Sequence, residues 1–319
     1  MTWMLTGGAG YIGAHVLRAL SAAGMDVVVL DDLSTGVAAK VPADVPHIRA
    51  SVLDRETVRT ALVDHEVEGV IHLAAKKAVE ESVREPLFYY HENVEGFRRL
   101  LGAMDDAGVR RLVFSSSAAV YGMPDVDRVS EGVLPYPINP YGQTKLAGEW
   151  LAAAAQRALG IDCVLLRYFN VAGAGAPDLG DPSVTNLIPL ALGAMEAGEP
   201  PVIFGDDYGT PDGTCIRDYI HVADLADAHV TAAQRVTGSG SAAVYNVSRG
   251  VGSSVREVLD VAREVTGIDL PARVAPRRVG DPPRLVGAAD AIATDLGWQA
   301  RHDLHDMVAS AWEARRAAG

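Results

Sequence analysis

The segment Asn139-Pro-Tyr-Gly-Gln-Thr-Lys145 carries a phenol and an ammonium group four residues apart. Asn139 suits the N-cap of a helix and Pro140 its first turn, so Tyr141 and Lys145 share one helical face. A phenol with an ordinary pKa of about 10 is a poor base at neutral pH. A nearby ammonium favours the phenolate, and the pair can then exchange a proton with a substrate hydroxyl. Tyr-x-x-x-Lys is common on helix surfaces, so the spacing gains meaning only from its surroundings.

Those surroundings begin at the N-terminus. Trp3-Met-Leu-Thr6 reads as a buried strand, followed by Gly7-Gly-Ala-Gly10-Tyr-Ile-Gly13, an amphipathic run from Ala14 to Ala23, and Gly24 to end it. Val27-Val-Val-Leu30 is the next strand and leads into Asp31-Asp32. Strand, glycine turn, helix, strand and acid form a dinucleotide-binding βαβ unit. Gly7 permits the tight turn, Gly10 lets a pyrophosphate approach the backbone, and Gly13 lets helix and strand pack closely. The helix N-terminus supplies amide donors. Asp31 is expected on the adenosine ribose hydroxyls, and two acids there repel a 2′-phosphate, which favours NAD over NADP.

The alternation continues. Strands are expected at His47–Arg49, Val70–Leu73, Arg111–Phe114 and Cys163–Leu166, and helices at Arg55–His65, Tyr89–Ala107 and Tyr141–Leu159. This order predicts a Rossmann-type doubly wound parallel α/β sheet, with ligands at the carboxyl ends of its strands. Lys77, Ser117 and Asn170 fall there. Residues 171–182 are rich in Gly, Ala, Pro and Asp and read as a loop. Beyond them come a helix opened by Thr185–Pro189, a strand Val202–Phe204, Cys215–His221 ahead of a helix to Val236, a strand Val244–Val247, and helices Ser254–Thr266 and His302–Arg316. The expected division is a cofactor domain over 1–169, to which 218–248 returns, and a smaller α/β substrate domain over 170–319.

Composition sets the limits. The 319 residues include 28 basic and 41 acidic side chains, a net charge of −13. That disfavours general nucleic-acid binding and requires local cations for any anionic substrate. Cys163 and Cys215 sit in strand-like runs and read as buried apolar residues rather than a disulfide or metal pair. No metal ligand set stands out. The chain opens directly into a strand, and no apolar run reaches the roughly 20 residues of a membrane span, so the expectation is a soluble cytoplasmic protein.

Gly7-x-x-Gly10-x-x-Gly13, Ser115-Ser-Ser-x-x-x-Tyr121 and Tyr141-x-x-x-Lys145 together resemble the extended short-chain dehydrogenase/reductase family. Three further stretches resemble the sugar-nucleotide 4-epimerases within it: Leu166-Arg-Tyr-Phe-Asn170, Asp212-Gly-Thr-x-x-Arg-Asp-Tyr-Ile-His-Val222 and Ala275-Pro-Arg-Arg-x-Gly-Asp281. The likeness runs essentially end to end. It implies epimerisation at C4 of a UDP-hexose through a 4-keto intermediate, with NAD regenerated in each cycle.

The resemblance also implies roles. Ser117 and Tyr141 would hold the sugar O4, Tyr141 taking its proton, while Lys145 binds the nicotinamide ribose and depresses the tyrosine pKa. Cofactor contacts would come from Gly7, Gly10, Tyr11, Ile12, Gly13, Asp31, Asp32, Leu53, Leu73, Ala74, Ala75, Lys77, Asn93, Ser115, Tyr141, Lys145 and Phe169. The UDP-sugar would meet Lys77, Ser117, Tyr141, Asn170, Asn186, Leu187, Val202, Phe204, Arg217, Arg278, Asp281 and Leu285. Arg217 and Arg278 are the expected diphosphate cations, Asp281 the uridine ribose carboxylate, and Phe204 lies in the strand beside the uracil. Leu285 stands where the family can hold a tyrosine, which opens room for N-acetylhexosamines. One departure is Ser51, where the family usually has an acid near the adenine. A homodimer packed through helices at roughly 89–107 and 141–159 is implied as well.

Other functions on this fold are separable. A 4,6-dehydratase needs acids after the serine run, where this chain has Ser117-Ala-Ala-Val120. A reductase would prefer NADPH, against Asp31-Asp32. A non-catalytic NAD-sensing regulator commonly lacks the tyrosine or the lysine, and both are present.

Overall fold

A computed structural model describes residues 1–182, 185–238, 242–278 and 280–318. Among these, thirteen strands run in chain order: β1 (Thr2–Thr6), β2 (Asp26–Leu30), β3 (His47–Ile48), β4 (Val67–His72), β5 (Arg111–Ser117), β6 (Asp162–Tyr168), β7 (Asn170–Ala172), β8 (Val202–Phe204), β9 (Ile216–His221), β10 (Ala242–Val247), β11 (Gly252–Ser254), β12 (Arg273–Ala275) and β13 (Arg284–Leu285). Seven form one sheet in the order β10-β6-β5-β4-β1-β2-β3, and every pairing in it is parallel. The order reverses at β1, where a crevice opens at the carboxyl ends of the strands. The expected doubly wound sheet is therefore present.

Alternating side chains divide the core. Trp3, Leu5, Val27 and Val29 face one side, where they pack with Val16, Leu17 and Leu20 of helix Tyr11–Ala22 and Leu225, Ala226 and Ala233 of helix Val222–Arg235. Met4, Val70, Leu112 and Cys163 face the other side, against Val58 and Leu62 of helix Arg55–Asp64, Phe97 and Leu100 of helix Gly96–Asp106, and Ala152 of helix Pro140–Leu159. Both cysteines are buried free thiols. Helix Val222–Arg235 and β10 thus reach the central sheet from the second half of the chain.

The rest of that half forms a smaller lobe. There β9 pairs with β7, β11 and β13, β12 pairs with β8, and helices Leu187–Glu196, Val255–Thr266 and Leu304–Ala318 cover a core that includes Ile188, Leu192, Val258 and Met307. Helix Val255–Thr266 opens with a reciprocal capping box between Ser254 and Glu257 and closes on Gly267 in the left-handed region. No helix among the described residues is long and apolar enough to cross a membrane.

The structure differs from the sequence-based expectation in places. Tyr89–Ala107 is not one regular helix: Tyr90–Glu95 takes a π-helical turn before Gly96–Asp106 continues as α-helix. The loop expected from residue 171 begins later, because Asn170–Ala172 is recruited as β7 by β9. Val279, within the Ala275–Asp281 motif, lies outside the described residues.

Candidate active site

One cavity of about 1210 Å³ runs along the carboxyl ends of the central strands and into the cleft beside the smaller lobe. Gly7, Gly10, Tyr11, Ile12 and Gly13 line its cofactor end, with Asp31 and Asp32, Leu73, Ala74, Ala75 and Lys77. Ser117, Tyr141, Lys145 and Phe169 lie at its middle. Asn170, Asn186, Arg217, Arg278, Asp281 and Leu285 line the lobe side.

The glycine turn is sterically specified. Gly7 has φ +76°, and a Cβ on Gly13 would fall 2.0 Å from the Gly7 carbonyl oxygen. The close approach of helix and turn needs glycine at that position. Gly10 is the N-cap of helix Tyr11–Ala22 with no side-chain cap. Its amide-rich end therefore faces the cavity with room for phosphate oxygens. The Asp31 carboxylate is held by the amides of Ala9 at 2.9 Å and Leu33 at 2.8 Å. These residues fit a dinucleotide with free ribose hydroxyls. Ser51 lines the same end, its hydroxyl accepting from the Leu53 amide at 3.2 Å.

At the centre, Asn139 caps helix Pro140–Leu159 through the Gly142 amide at 2.8 Å, with Pro140 in the first turn. This fixes where Tyr141 and Lys145 project. The Tyr141 phenol stands beside the Ser117 hydroxyl in the cavity wall, close enough for the hydroxyl to act on it. The phenol pKa is raised above the usual value by burial, with the Ser117 hydroxyl pulling the other way. The Lys145 ammonium donates to the Ser115 carbonyl at 2.8 Å and lies 5.3 Å from the Phe114 ring centroid. Burial lowers its pKa to about 8, with the charge of Glu149 opposing the shift. In this geometry burial dominates the phenol, and the ammonium is directed at a backbone carbonyl.

On the lobe side, Arg217 donates to Asp281 at 3.1 Å and to its own strand at the Ile216 carbonyl. The Arg278 guanidinium lies over the Phe204 ring, 4.1 Å from its centroid. Asn186 donates to Asp181 at 2.9 Å. Two arginines at one end of a cavity on an acidic chain can meet a diphosphate through charge-assisted hydrogen bonds.

Several expected site residues are not in the cavity wall. Asn93 sits behind it, where the π turn aims its carboxamide at the Lys76 amide and carbonyl and at the Thr144 hydroxyl, so it fixes the cavity loop from outside. Ser115 is fully buried with its hydroxyl on His229 at 2.9 Å, because alternation along β5 turns it toward helix Val222–Arg235. Leu53 does not line the cavity, and its carbonyl accepts from Arg99 at 2.9 Å. Leu187 packs in the core of the smaller lobe. Val202 and Phe204 belong to the two-stranded β8–β12 ribbon, and Phe204 reaches the site only through Arg278.

Among the cavity residues not assigned from the sequence are Tyr168 and Lys76. Tyr168 lies opposite Ser117 in the β5–β6 register and lines the cavity. Lys76 donates to Ser34 at 2.8 Å, joining two loops that line the cofactor end. The strand-end position of Tyr168 was a readable signal; the Lys76–Ser34 contact joins distant loops and had none.

The NAD dependent epimerase/dehydratase family model matches residues 3–248. A protein of Azospirillum brasilense described as UDP-glucose 4-epimerase is 47% identical over 317 residues, covering 97% of this chain and 91% of its own length. The crystal structure of UDP-glucose-4-epimerase from Stenotrophomonas maltophila, with bound NAD and formylated UDP-arabinopyranose, matches with a TM-score of 0.95 at 40% identity, covering 100% of this chain and 98% of its own. The UDP-Glc/GlcNAc 4-epimerase of Campylobacter jejuni matches with a TM-score of 0.86 at 36% identity and 99% coverage of both chains.

Proposed function

The chain belongs to the NAD dependent epimerase/dehydratase family, and on that footing we propose that Ser117, Tyr141 and Lys145 carry out the epimerisation of a UDP-hexose at C4. The protein is an isomerase of the UDP-glucose 4-epimerase type, dependent on NAD. When bound, NAD takes up the C4 hydride and returns it. The observation that carries the assignment of residues is the placement of Ser117, Tyr141 and Lys145 together in one wall, the last two a helical turn apart, at the centre of a cavity with a phosphate-binding turn at one end and two arginines at the other.

Each residue then has a task. Gly7, Gly10 and Gly13 leave backbone space for a pyrophosphate, and Asp31 binds the adenosine ribose. Ser117 orients the O4 hydroxyl and Tyr141 accepts and returns its proton. Lys145 supplies the positive charge that offsets the phenolate as it forms. Phe169 and Asn170 stand where the sugar must pass. Arg217 and Arg278 hold the diphosphate, so that the planar 4-keto sugar can present either face while its nucleotide stays fixed. Leu285 bounds the sugar and leaves space beside C2, so the substrates extend to UDP-N-acetylhexosamines. We assign 1–169 to the cofactor domain, joined by 218–248, and the rest mainly to the sugar nucleotide.

A homodimer suits the exposed apolar side chains Val83, Leu87 and Trp150, which are 63%, 83% and 65% exposed on adjoining helices. Trp150→Glu should then lower the mass measured by sedimentation. Two buried free thiols suit a cytoplasmic location.

The deciding experiment incubates purified protein with UDP-galactose and no added cofactor. UDP-glucose should form, and denatured protein should release stoichiometric NAD. Formation of a 4-keto-6-deoxy sugar would instead make the enzyme a dehydratase.

A further inference from the structure

Beneath Lys145 lies a buried polar network that none of the tasks above uses. Tyr141, Lys145 and Glu149 follow one another at four-residue steps on one face of helix Pro140–Leu159. The Glu149 carboxylate is 5% exposed and fully engaged. It accepts from the Ser116 hydroxyl at 2.5 Å, from Arg167 Nε at 2.8 Å and from Arg167 Nη2 at 2.6 Å. Arg167 also donates to the Tyr121 hydroxyl at 2.9 Å, and Tyr121 donates to Asn246 Oδ1 at 2.7 Å. Asn246 Nδ2 donates to the carbonyls of Val129 and Ala288, at 2.9 and 3.3 Å. Val129 bridges to the segment that follows Leu285. The network thus ties the helix bearing Tyr141 and Lys145 to β5, β6, β10 and the segment bounding the sugar end.

We propose that Glu149 and Arg167 are positioning residues for the reaction, the Glu149 carboxylate holding the Lys145 ammonium in its charged form and Arg167 anchoring that carboxylate. The inference rests on the roles given above to Tyr141 and Lys145. Burying an ion pair this deeply is costly and breaking one is costlier, so its place one turn below Lys145 needs a reason beyond stability.

The surroundings of Lys145 supply that reason. From β4 it faces His72, held neutral at ordinary pH because burial, and then the charge of Lys145, push its pKa to about 3. From β5 come the Ser115 carbonyl and the Phe114 ring. Behind Ser115 stand Tyr168, whose pKa burial raises, and His229, lowered by burial to about 4. Tyr141 and Arg167 complete the set. Among the described residues, Glu149 is the one carboxylate acting on Lys145, and it works against burial.

The test is the pH dependence of kcat with UDP-galactose in NAD-loaded enzyme, for wild type, Glu149→Gln and the double variant Glu149→Met/Arg167→Met. In Glu149→Gln an uncompensated guanidinium replaces the nearest negative charge, so the alkaline limb should move down by about one pH unit or more, the scale on which a neighbouring charge shifts a pKa. In the double variant both charges are absent, and its limb should lie between the other two. If Glu149→Gln does not fold, the double variant alone must still show the lower limb. Limbs that coincide with wild type in a folded variant, with kcat reduced evenly at all pH values, would overturn the proposal and leave a purely structural pair. Tyr141→Phe, run in parallel, separates the two levels: full turnover there would remove the reading of the site itself.

Discussion

Arg217 and Asp281 meet at 3.1 Å, one from β9 and the other from the loop ahead of β13, and both line the lobe end of the cavity. The pair holds the guanidinium in the wall of the cavity. Arg217→Ala should raise KM for UDP-galactose roughly ten- to hundredfold, the range of one charge-assisted hydrogen bond of about 1.5–3 kcal/mol, with a smaller effect on kcat. Steady-state kinetics decide this, and an unchanged KM would place Arg217 outside the diphosphate site.

Tyr141→Phe removes the proton acceptor and little else, since its ring stays buried in the same wall. Turnover should fall by about 10²–10⁴-fold or more. The circular dichroism spectrum and the NAD content should match wild type. Near-normal turnover would show that another group takes the proton.

Leu285 is half-buried in the cavity wall, packed against the apolar cluster that includes Val120 and Phe169. The wild type should therefore convert UDP-N-acetylgalactosamine as well as UDP-galactose, and Leu285→Tyr should lose the former selectively. Strict hexose specificity in the wild type, or a tyrosine variant that keeps both activities, would sink this reading.

Four buried histidines make stability depend on pH. Burial lowers His72 to about 3 and His15, His221 and His229 to about 4 from an ordinary 6.5. Below pH 6.5 the unfolded chain takes up protons that the folded chain refuses, so stability falls as pH drops from about 6.5 toward 4. Asp218 acts oppositely: burial raises it to about 6 from 3.8, so the folded chain gains one proton in part of that window. The histidines outnumber it. His15 shows the geometric reason, because Nε2 accepts from the Gly175 amide at 2.8 Å while Nδ1 faces the Tyr11 carbonyl. Thermal midpoints should decline between pH 7 and 4.5, and His15→Gln should flatten the slope. A flat profile in the wild type would contradict the assignment.

The sequence made the central sheet readable because each strand is an apolar run closed by glycine or a polar cluster, and each helix shows its own period. The short strands β7, β11, β12 and β13 were not readable, since their few residues, unlike the apolar Val202–Phe204, form no apolar run and pair because β8 or β9 lies alongside. The π turn at Tyr90–Glu95 was hidden for a related reason: its apolar spacing resembles that of an α-helix. In the site, composition cannot say which way each of three consecutive serines points. Ser115 faces His229, Ser116 faces Glu149, and Ser117 meets Tyr141. The Glu149–Arg167 pair was not readable, because Glu149 lies on a helix and Arg167 on β6 and no spacing in the chain announces their contact.

The outermost strand of the parallel sheet, β10, is made from residues 242–247 and pairs with β6, which ends at Tyr168. The described elements between them belong to the smaller lobe or are helix Val222–Arg235. During synthesis the edge of β6 must therefore wait, with its amides and carbonyls unpaired, until most of the chain has left the ribosome. A fragment ending near residue 169 would carry that open edge permanently, and the exposed underside where helix Val222–Arg235 should lie. Assembly is thus set by the late arrival of a six-residue strand rather than by the glycine turn that is made first.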